Sequence, residues 1–178
     1  KAQTLLDGGN DQEHRKRSRY IWLNGKLQPE QTASVPVGTA AFQYGAGLFE
    51  TIRAERGHPL LLPAHLHRLR TSWEALFSVP VPNLTWEDIL HQVLCANDLL
   101  EQTAAVKIMA APDDSERPPF RSVLAVSARP YTHRLQMLNK TSLALAVYPE
   151  PRQILTASHK TLNYFFYRRI CSFDSRTL

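Results

Sequence analysis

The sequence predicts an α+β fold in which an antiparallel sheet carries two amphipathic helices. Three features predict it. Asn24-Gly25 stands between two short apolar runs, the strongest short-range signal of a β-hairpin. Residues 48–53 (LFETIR) read as a strand that turns near Arg56-Gly57, and residues 63–77 repeat apolar side chains at helical spacing. A composition of 43% hydrophobic and 21% charged residues excludes wholesale disorder. The apolar runs fall far short of the roughly 20 residues that cross a bilayer. No apolar stretch follows the first basic residues as in a secretory leader. A cytoplasmic protein with no membrane partner is expected.

Residues 1–19 are polar, with Gly8-Gly9 and a basic cluster at Arg15, Lys16, Arg17 and Arg19. They read as a solvated tail or linker. The net charge is +5, and most of it sits in this segment and in the last eleven residues. The body therefore lacks the broad basic face of a nucleic-acid binder, and no nucleic-acid partner is expected.

An N-terminal α+β domain is expected over residues 20–125. After the hairpin, the strand at 48–53 is expected to return through Leu60-Leu61-Leu62. The helix that follows sets Leu66, Leu69, Trp73, Leu76 and Phe77 on one face, with Pro63 in its first turn. A second helix is expected from about Trp86 to Leu100, with Thr85 as N-cap and Glu87 and Asp88 in its first turn. Cys95 lies in that pattern and reads as a small buried thiol; with Cys171 it allows one disulfide at most. "AAVKIMAAP" and "FRSVLAVSARP" read as paired strands around a Pro-rich loop. A second domain begins near residue 130, where "TSLALAVYP" reads as a strand and a helix is expected near Asn163. Fewer than 50 residues remain for it, too few for an independent core of ordinary size.

Gly45-Ala46-Gly47 is not a dinucleotide fingerprint, since no Gly follows three residues on. G-x-S-x-G is absent, so acyl transfer has no support. His65 and His67 lie two apart on a helix and point to different faces, so no metal site is expected. What remains is an ordered set: Tyr44-Gly45-Ala46-Gly47 before a strand, "HLHRL" opening a helix, and "HKTLNY" far downstream. Lys160 is followed by Leu162, Tyr164, Phe165 and Phe166, and apolar surroundings favour the neutral, nucleophilic form of an amine. Arg68 reads either as a phosphate clamp or as an arginine with its stem on apolar surface.

The run "FQYGAGLFETIRAERGHPLLLPAHLHRLRTSWEAL" resembles the N-terminal signature of the fold-type IV pyridoxal-phosphate enzymes, the class IV aminotransferase family. "SHKTLNY" resembles the family's Schiff-base lysine segment. The family contains branched-chain aminotransferases, D-amino-acid aminotransferases and 4-amino-4-deoxychorismate lyases. The resemblance covers roughly residues 20–170. It implies two α/β domains with pyridoxal 5'-phosphate between them, and a homodimer whose sites take side chains from both subunits. It also implies that Lys160 bonds the cofactor and transfers protons, that Arg68 holds the phosphate, and that Tyr164 lies near the cofactor's phenolic oxygen.

Thr51 is the discriminating residue. Branched-chain aminotransferases usually read F-E-G-I-R where this chain reads F-E-T-I-R, and a threonine there resembles the aminodeoxychorismate lyases. In them its hydroxyl assists proton transfer, being both donor and acceptor. β-Propensity alone also favours a Thr in a strand. Arg53, two residues on and facing the same way, reads as a substrate carboxylate contact or as a surface partner of Glu55. Tyr44 is the other candidate substrate contact. The small-molecule substrate implied is 4-amino-4-deoxychorismate, converted to 4-aminobenzoate and pyruvate. The alternatives are a branched-chain or other class IV aminotransferase, or an inactive remnant of such an enzyme.

Two departures stand out. Many relatives carry Arg-Gly, used for carboxylate binding, where this chain has Ala110-Ala111; Lys107 or Arg53 is then left to that task. Relatives also continue to a glutamate that pairs with the pyridine nitrogen. Here 18 residues follow Lys160, with Asp174 their one acid. A truncated C-terminal cofactor-binding domain over 130–178, inactive by itself, is expected.

Overall fold

The computed structural model describes residues 19–77, 82–113, 122–143 and 156–164. Six antiparallel strands form one sheet: β1 (Tyr20–Leu23), β2 (Lys26–Pro29), β3 (Leu48–Glu55), β4 (His58–Pro59), β5 (Thr103–Pro112) and β6 (Ser122–Pro130), in the order β2-β1-β6-β5-β3-β4. The helices are α1 (Ala40–Tyr44), α2 (Leu62–Leu76), α3 (Trp86–Ala96) and α4 (Arg134–Met137).

Asn24 (φ 46°) and Gly25 (φ 89°) both take positive φ, which a two-residue turn twisted to match its strands requires. Asn24 also reaches across the sheet. Its side-chain oxygen accepts from the Leu124 N–H at 2.8 Å, and its own N–H donates to the Leu124 carbonyl at 2.9 Å. β1 is thereby locked to β6, a hundred residues away, while Asn97 below α3 exchanges hydrogen bonds with both backbone groups of Tyr20.

β3 alternates along its length. Leu48, Glu50, Ile52 and Ala54 are buried; Thr51, Arg53 and Glu55 are exposed. The buried set joins Ala104, Val106, Ile108 and Ala110 of β5, Leu124, Val126 and Ala128 of β6, and the inner faces of α2 and α3 in the main core. A smaller cluster of Leu23, Val123 and Ala125, with Ile21, Ala33 and Met109 against it, occupies the other face near β1. Each large aliphatic side chain so buried contributes about 1.5–3 kcal/mol.

Several expectations need correction. The return strand is only His58–Pro59, because Leu61 (φ 55°) is the N-cap of α2 and Leu62 already belongs to the helix. α3 stops at Ala96 rather than Leu100. Asp98 (φ 57°) reverses the chain, and the Leu99 N–H closes back on the Leu94 carbonyl at 2.9 Å. Cys95 is exposed, since the inward stripe of α3 is Trp86, Ile89, Leu90, Val93 and Leu94. The expected N-cap Thr85 precedes α3 but makes no side-chain cap hydrogen bond. Asn163 and Tyr164 are not helical. Residues 1–18, most of the TSLALAVYP strand, and everything beyond Tyr164 lie outside the described residues. Among the described residues no helix is long and apolar enough to cross a membrane.

The alternation in β3 sets up a direct comparison. Ile52→Ala, at a position fully withdrawn from water, should cost about 2–5 kcal/mol. Thr51→Ala, one residue away and exposed, should stay within about 0.5 kcal/mol. Urea denaturation measures both, and equal costs would contradict the register.

Candidate active site

The candidate site forms where the segment around Lys160 docks on the start of β3. The Phe49 N–H donates to the Lys160 carbonyl at 3.0 Å, and the Leu162 N–H donates to the Gly47 carbonyl at 2.8 Å. Leu48 and Thr161 thus form an isolated antiparallel bridge. His159 Nδ1 adds a third tie, 3.1 Å from the buried Ser72 hydroxyl of α2. Gly47 is required by proximity: a Cβ there would lie 2.6 Å from Leu162 Cδ1 and 2.9 Å from the Ala110 carbonyl oxygen. Gly45 (φ 66°) is required by conformation and closes α1 in the left-handed region. The Gly-Ala-Gly run is therefore the seat of the lysine segment.

At this junction Glu50 points into the core with its side chain 1% exposed. Arg68 Nε and Nη2 donate to its two carboxylate oxygens at 2.6 and 2.5 Å. His65 Nδ1 lies 2.7 Å from Oε2, and Lys160 Nζ lies 3.7 Å from the same oxygen. α2 brings His65 and Arg68 together because they sit three residues apart on one helix face. Burial alone would push the Glu50 carboxyl up. The hydrogen bonds from Arg68 and His65, with the charges of Lys160 and Arg68, outweigh it and hold Glu50 below its ordinary value of 4.5. The same bond to Glu50 raises Arg68 above its ordinary range.

Lys160 is 31% exposed, and its amine sits 4.9 Å from the centre of the Phe49 ring. Tyr164 meets that ring edge-on, centroids 5.3 Å apart. Lys160, Arg68 and Tyr164 are therefore gathered around Glu50 and Phe49. Thr51 lies on the open face of the sheet, directly across from Lys107 of β5. Arg53 shares that face but pairs with Glu55 at 2.6 Å and lies 5.2 Å from the centre of the Tyr131 ring. Tyr44 stands exposed at the end of α1, outside this cluster.

The reading from sequence passed over Glu50, and two signals mark it. It is an acid on the inward register of a strand between Leu48 and Ile52, and an H-x-x-R spacing follows on the next helix. His159 was likewise passed over, and no spacing rule links it to Ser72, 87 residues earlier.

Two predictions follow from this junction. Glu50→Gln should destabilise the chain by about 1–3 kcal/mol at neutral pH. Because the folded value of Glu50 lies below the unfolded one, its contribution is complete above pH 4.5 and is lost as pH falls through the lower folded value. Urea midpoints for the native chain should therefore converge on those of the variant in acid; parallel profiles would contradict the role of Glu50. Gly47→Ala should speed hydrogen exchange at the Phe49 and Leu162 amides. Gly38→Ala, where a Cβ meets nothing within 4 Å, should leave both unchanged.

The chain is similar to proteins of one family. The family model described as amino-transferase class IV matches residues 47–170, a span that starts at the Gly47 seat and includes the lysine segment. An aminodeoxychorismate lyase of Vibrio harveyi is 33% identical over 88 residues, 49% of this chain and 30% of that protein. A putative branched-chain-amino-acid aminotransferase of Methanocaldococcus jannaschii is 28% identical over 148 residues, 81% of this chain and 51% of that protein. Among solved structures, the branched-chain aminotransferase of Thermoproteus uzoniensis with norvaline superposes with a TM-score of 0.54 at 26% identity, over 65% of this chain and 41% of that one. A hypothetical aminotransferase from Mycobacterium tuberculosis, in an alpha-ketoglutarate and PMP bound form, shares the fold with a TM-score of 0.69 at 20% identity, over 88% of this chain and 58% of that one. The chain spans from under a third to somewhat over half the length of these proteins. With the matched family model running from the glycine seat through the docked lysine, the chain belongs to the class IV aminotransferase family.

Proposed function

We propose that this chain is part of a pyridoxal-phosphate-dependent lyase that converts 4-amino-4-deoxychorismate to 4-aminobenzoate and pyruvate. The observation that carries the reading is the docking of Lys160. A partly exposed amine is fixed by its own backbone beside a buried carboxylate that Arg68 already pairs.

The residues present fit the cofactor's chemistry. Arg68, Lys160 and Lys107 bring three cations to a site whose one buried carboxylate among the described residues is Glu50. An excess of positive charge suits a phosphate-bearing aldehyde. Arg68 spends Nε and Nη2 on Glu50, and its Nη1 makes no hydrogen bond among the described residues. It is half exposed and has donors left for a phosphate. Lys160 would hold the cofactor covalently, and Tyr164 would flank it across Phe49. The cofactor, when bound, supplies an electron sink for the pair left behind when a substrate proton departs.

In this reading the Lys160 amine takes the proton from the substrate carbon that bears nitrogen, and the Thr51 hydroxyl relays a proton from the open face of the sheet. Loss of the enol side chain then yields pyruvate and an aromatic ring, so no keto-acid acceptor is consumed. Arg53 and Tyr44 belong to the rim of the site as substrate contacts. The same proposal divides the chain into a tail over 1–19, an N-terminal domain over 20–125 and the start of a C-terminal cofactor-binding domain from 130. It includes a cytoplasmic homodimer, supported by the exposed apolar side chains of Val37, Phe42 and Tyr44 in and before α1. The second reading, a branched-chain aminotransferase, is supported by relatives of that name at comparable identity.

The test is reduction of the protein with borohydride in the presence of pyridoxal phosphate, followed by peptide mass analysis. Carried out on the longer parent protein, it should give one adduct on Lys160, absent in Lys160→Ala, and absence of any adduct overturns the enzyme reading. Release of 4-aminobenzoate without an added 2-keto acid marks the lyase. A strict requirement for the keto acid marks the aminotransferase.

A further inference from the structure

Ser72 is a polar residue on the buried side of α2, set between Leu69 and Trp73 and 4% exposed. A hydroxyl withdrawn from water needs a partner. Its partner is His159, whose Nδ1 lies 3.1 Å away although 87 residues separate the two. A hydroxyl both donates and accepts, so the contact holds whether the imidazole is neutral or charged. His159 is itself set by the turn before it, its N–H donating to the Thr156 carbonyl at 3.0 Å. The next residue is Lys160.

These contacts close a circuit through three parts of the fold. The Lys160 carbonyl accepts from the Phe49 N–H of β3, and the neighbouring Glu50 pairs with Arg68 of α2. Ser72, just over a turn further along α2, returns through His159 to Lys160. Arg68 and Ser72 are four residues apart, which puts them on one helix face about 6 Å apart along the axis. Main-chain bonds hold the lysine segment to the start of β3, and the Ser72–His159 contact holds it to α2 as well. The quantity that the closed circuit constrains is the separation between the Lys160 amine and the Arg68 guanidinium.

We propose that Ser72 and His159 are positioning residues that set this separation, and so match the site to an aldehyde that carries its own phosphate. The inference rests on the cofactor reading above and deepens it, since neither residue is assigned a contact with the ligand. A ligand anchored at both ends gains most when its two anchors are already spaced for it, because less ordering remains to be done on binding. An aldehyde without a phosphate uses the amine alone and gains nothing from the spacing.

The probes are pyridoxal 5'-phosphate and pyridoxal, each trapped with borohydride on the longer parent protein. Peptide mass analysis reads Lys160 labelling by each aldehyde against the exposed Lys26, and the ratio between the two aldehydes is the phosphate preference. The native protein should favour the phosphate-bearing aldehyde. Ser72→Ala and His159→Leu should each cut that preference about two- to tenfold, the net effect of one hydrogen bond. The double variant should fall no further, because both changes remove the same contact. His159→Asn should restore the preference, since its amide stands at the same reach from Cβ as Nδ1. A general loosening of the segment would lower labelling by both aldehydes alike and leave the ratio unmoved, which overturns the inference. Losses that add in the double variant, or a preference that His159→Asn does not restore, overturn it too. A native protein with no phosphate preference overturns the cofactor reading and the inference with it, whereas a native preference that the variants leave unmoved removes the inference alone.

Discussion

A carboxylate taken out of water stays ionised only when donors and positive charge replace the water, and the junction is built around that requirement. Glu50 sits between Leu48 and Ile52 on the inward face of β3, where an unpaired charge would be prohibitively costly. Meeting the cost recruits Arg68 and His65 from α2 and draws in Lys160 from the far end of the described chain. One buried acid thereby fixes how the first long helix lies on the sheet and where the Lys160 amine stands. Breaking such a set by removing one member costs more than the set contributes over an apolar alternative, because the remaining charges are left stranded. The arrangement is better understood as positioning than as a source of net stability.

Backbone geometry complements the charges. Residues 47–49 present a carbonyl and an N–H to the lysine segment, and the missing Cβ of Gly47 lets Leu162 close over them. The side chain of Lys160 is thus aimed by main-chain hydrogen bonds at its own carbonyl and at Leu162, while His159, the residue before it, is fastened to α2. A side chain mounted on a sheet edge keeps its geometry better than one on a free loop.

Much of this was legible from local chemistry. The Asn24-Gly25 turn, the strand at β3, the α2 face and the pairing of β5 with β6 follow from turn residues and periodicity, which act over a few positions. Boundaries were less legible where a single backbone angle decides them. Leu61 and Asp98 take positive φ, and nothing in their side chains announces it. The exposure of Cys95 turns on where the inward stripe of α3 ends, a question of packing rather than of composition. The gathering of Lys160, Arg68 and Tyr164 follows the order of motifs along the chain, whereas the Glu50 hub arises from the register of β3 against α2. Arg53 reaches Glu55 at the end of the same strand, a pairing that the spacing in the sequence also offers beside a place on the face of Thr51.

The placement of β1 between β2 and β6 also bears on the order in which the molecule can assemble. The hairpin around Asn24 is complete early in synthesis, but its inner edge stays open until Leu124 arrives to meet it. At ribosomal rates of about 5–20 residues per second that wait is on the order of 5–20 s, long against the microseconds in which a hairpin forms. During it the edge is a template for any passing strand. The outer strand β2 is short, begins with Lys26 and ends with Pro29, features that discourage pairing on that side. The inner edge has no such protection and depends on β6 for it, so pairing at high sequence separation makes closure of the sheet the slow step of folding. The lysine segment, still later in the chain, can dock only after its own synthesis, so the junction around Glu50 is the last part of the described structure to exist.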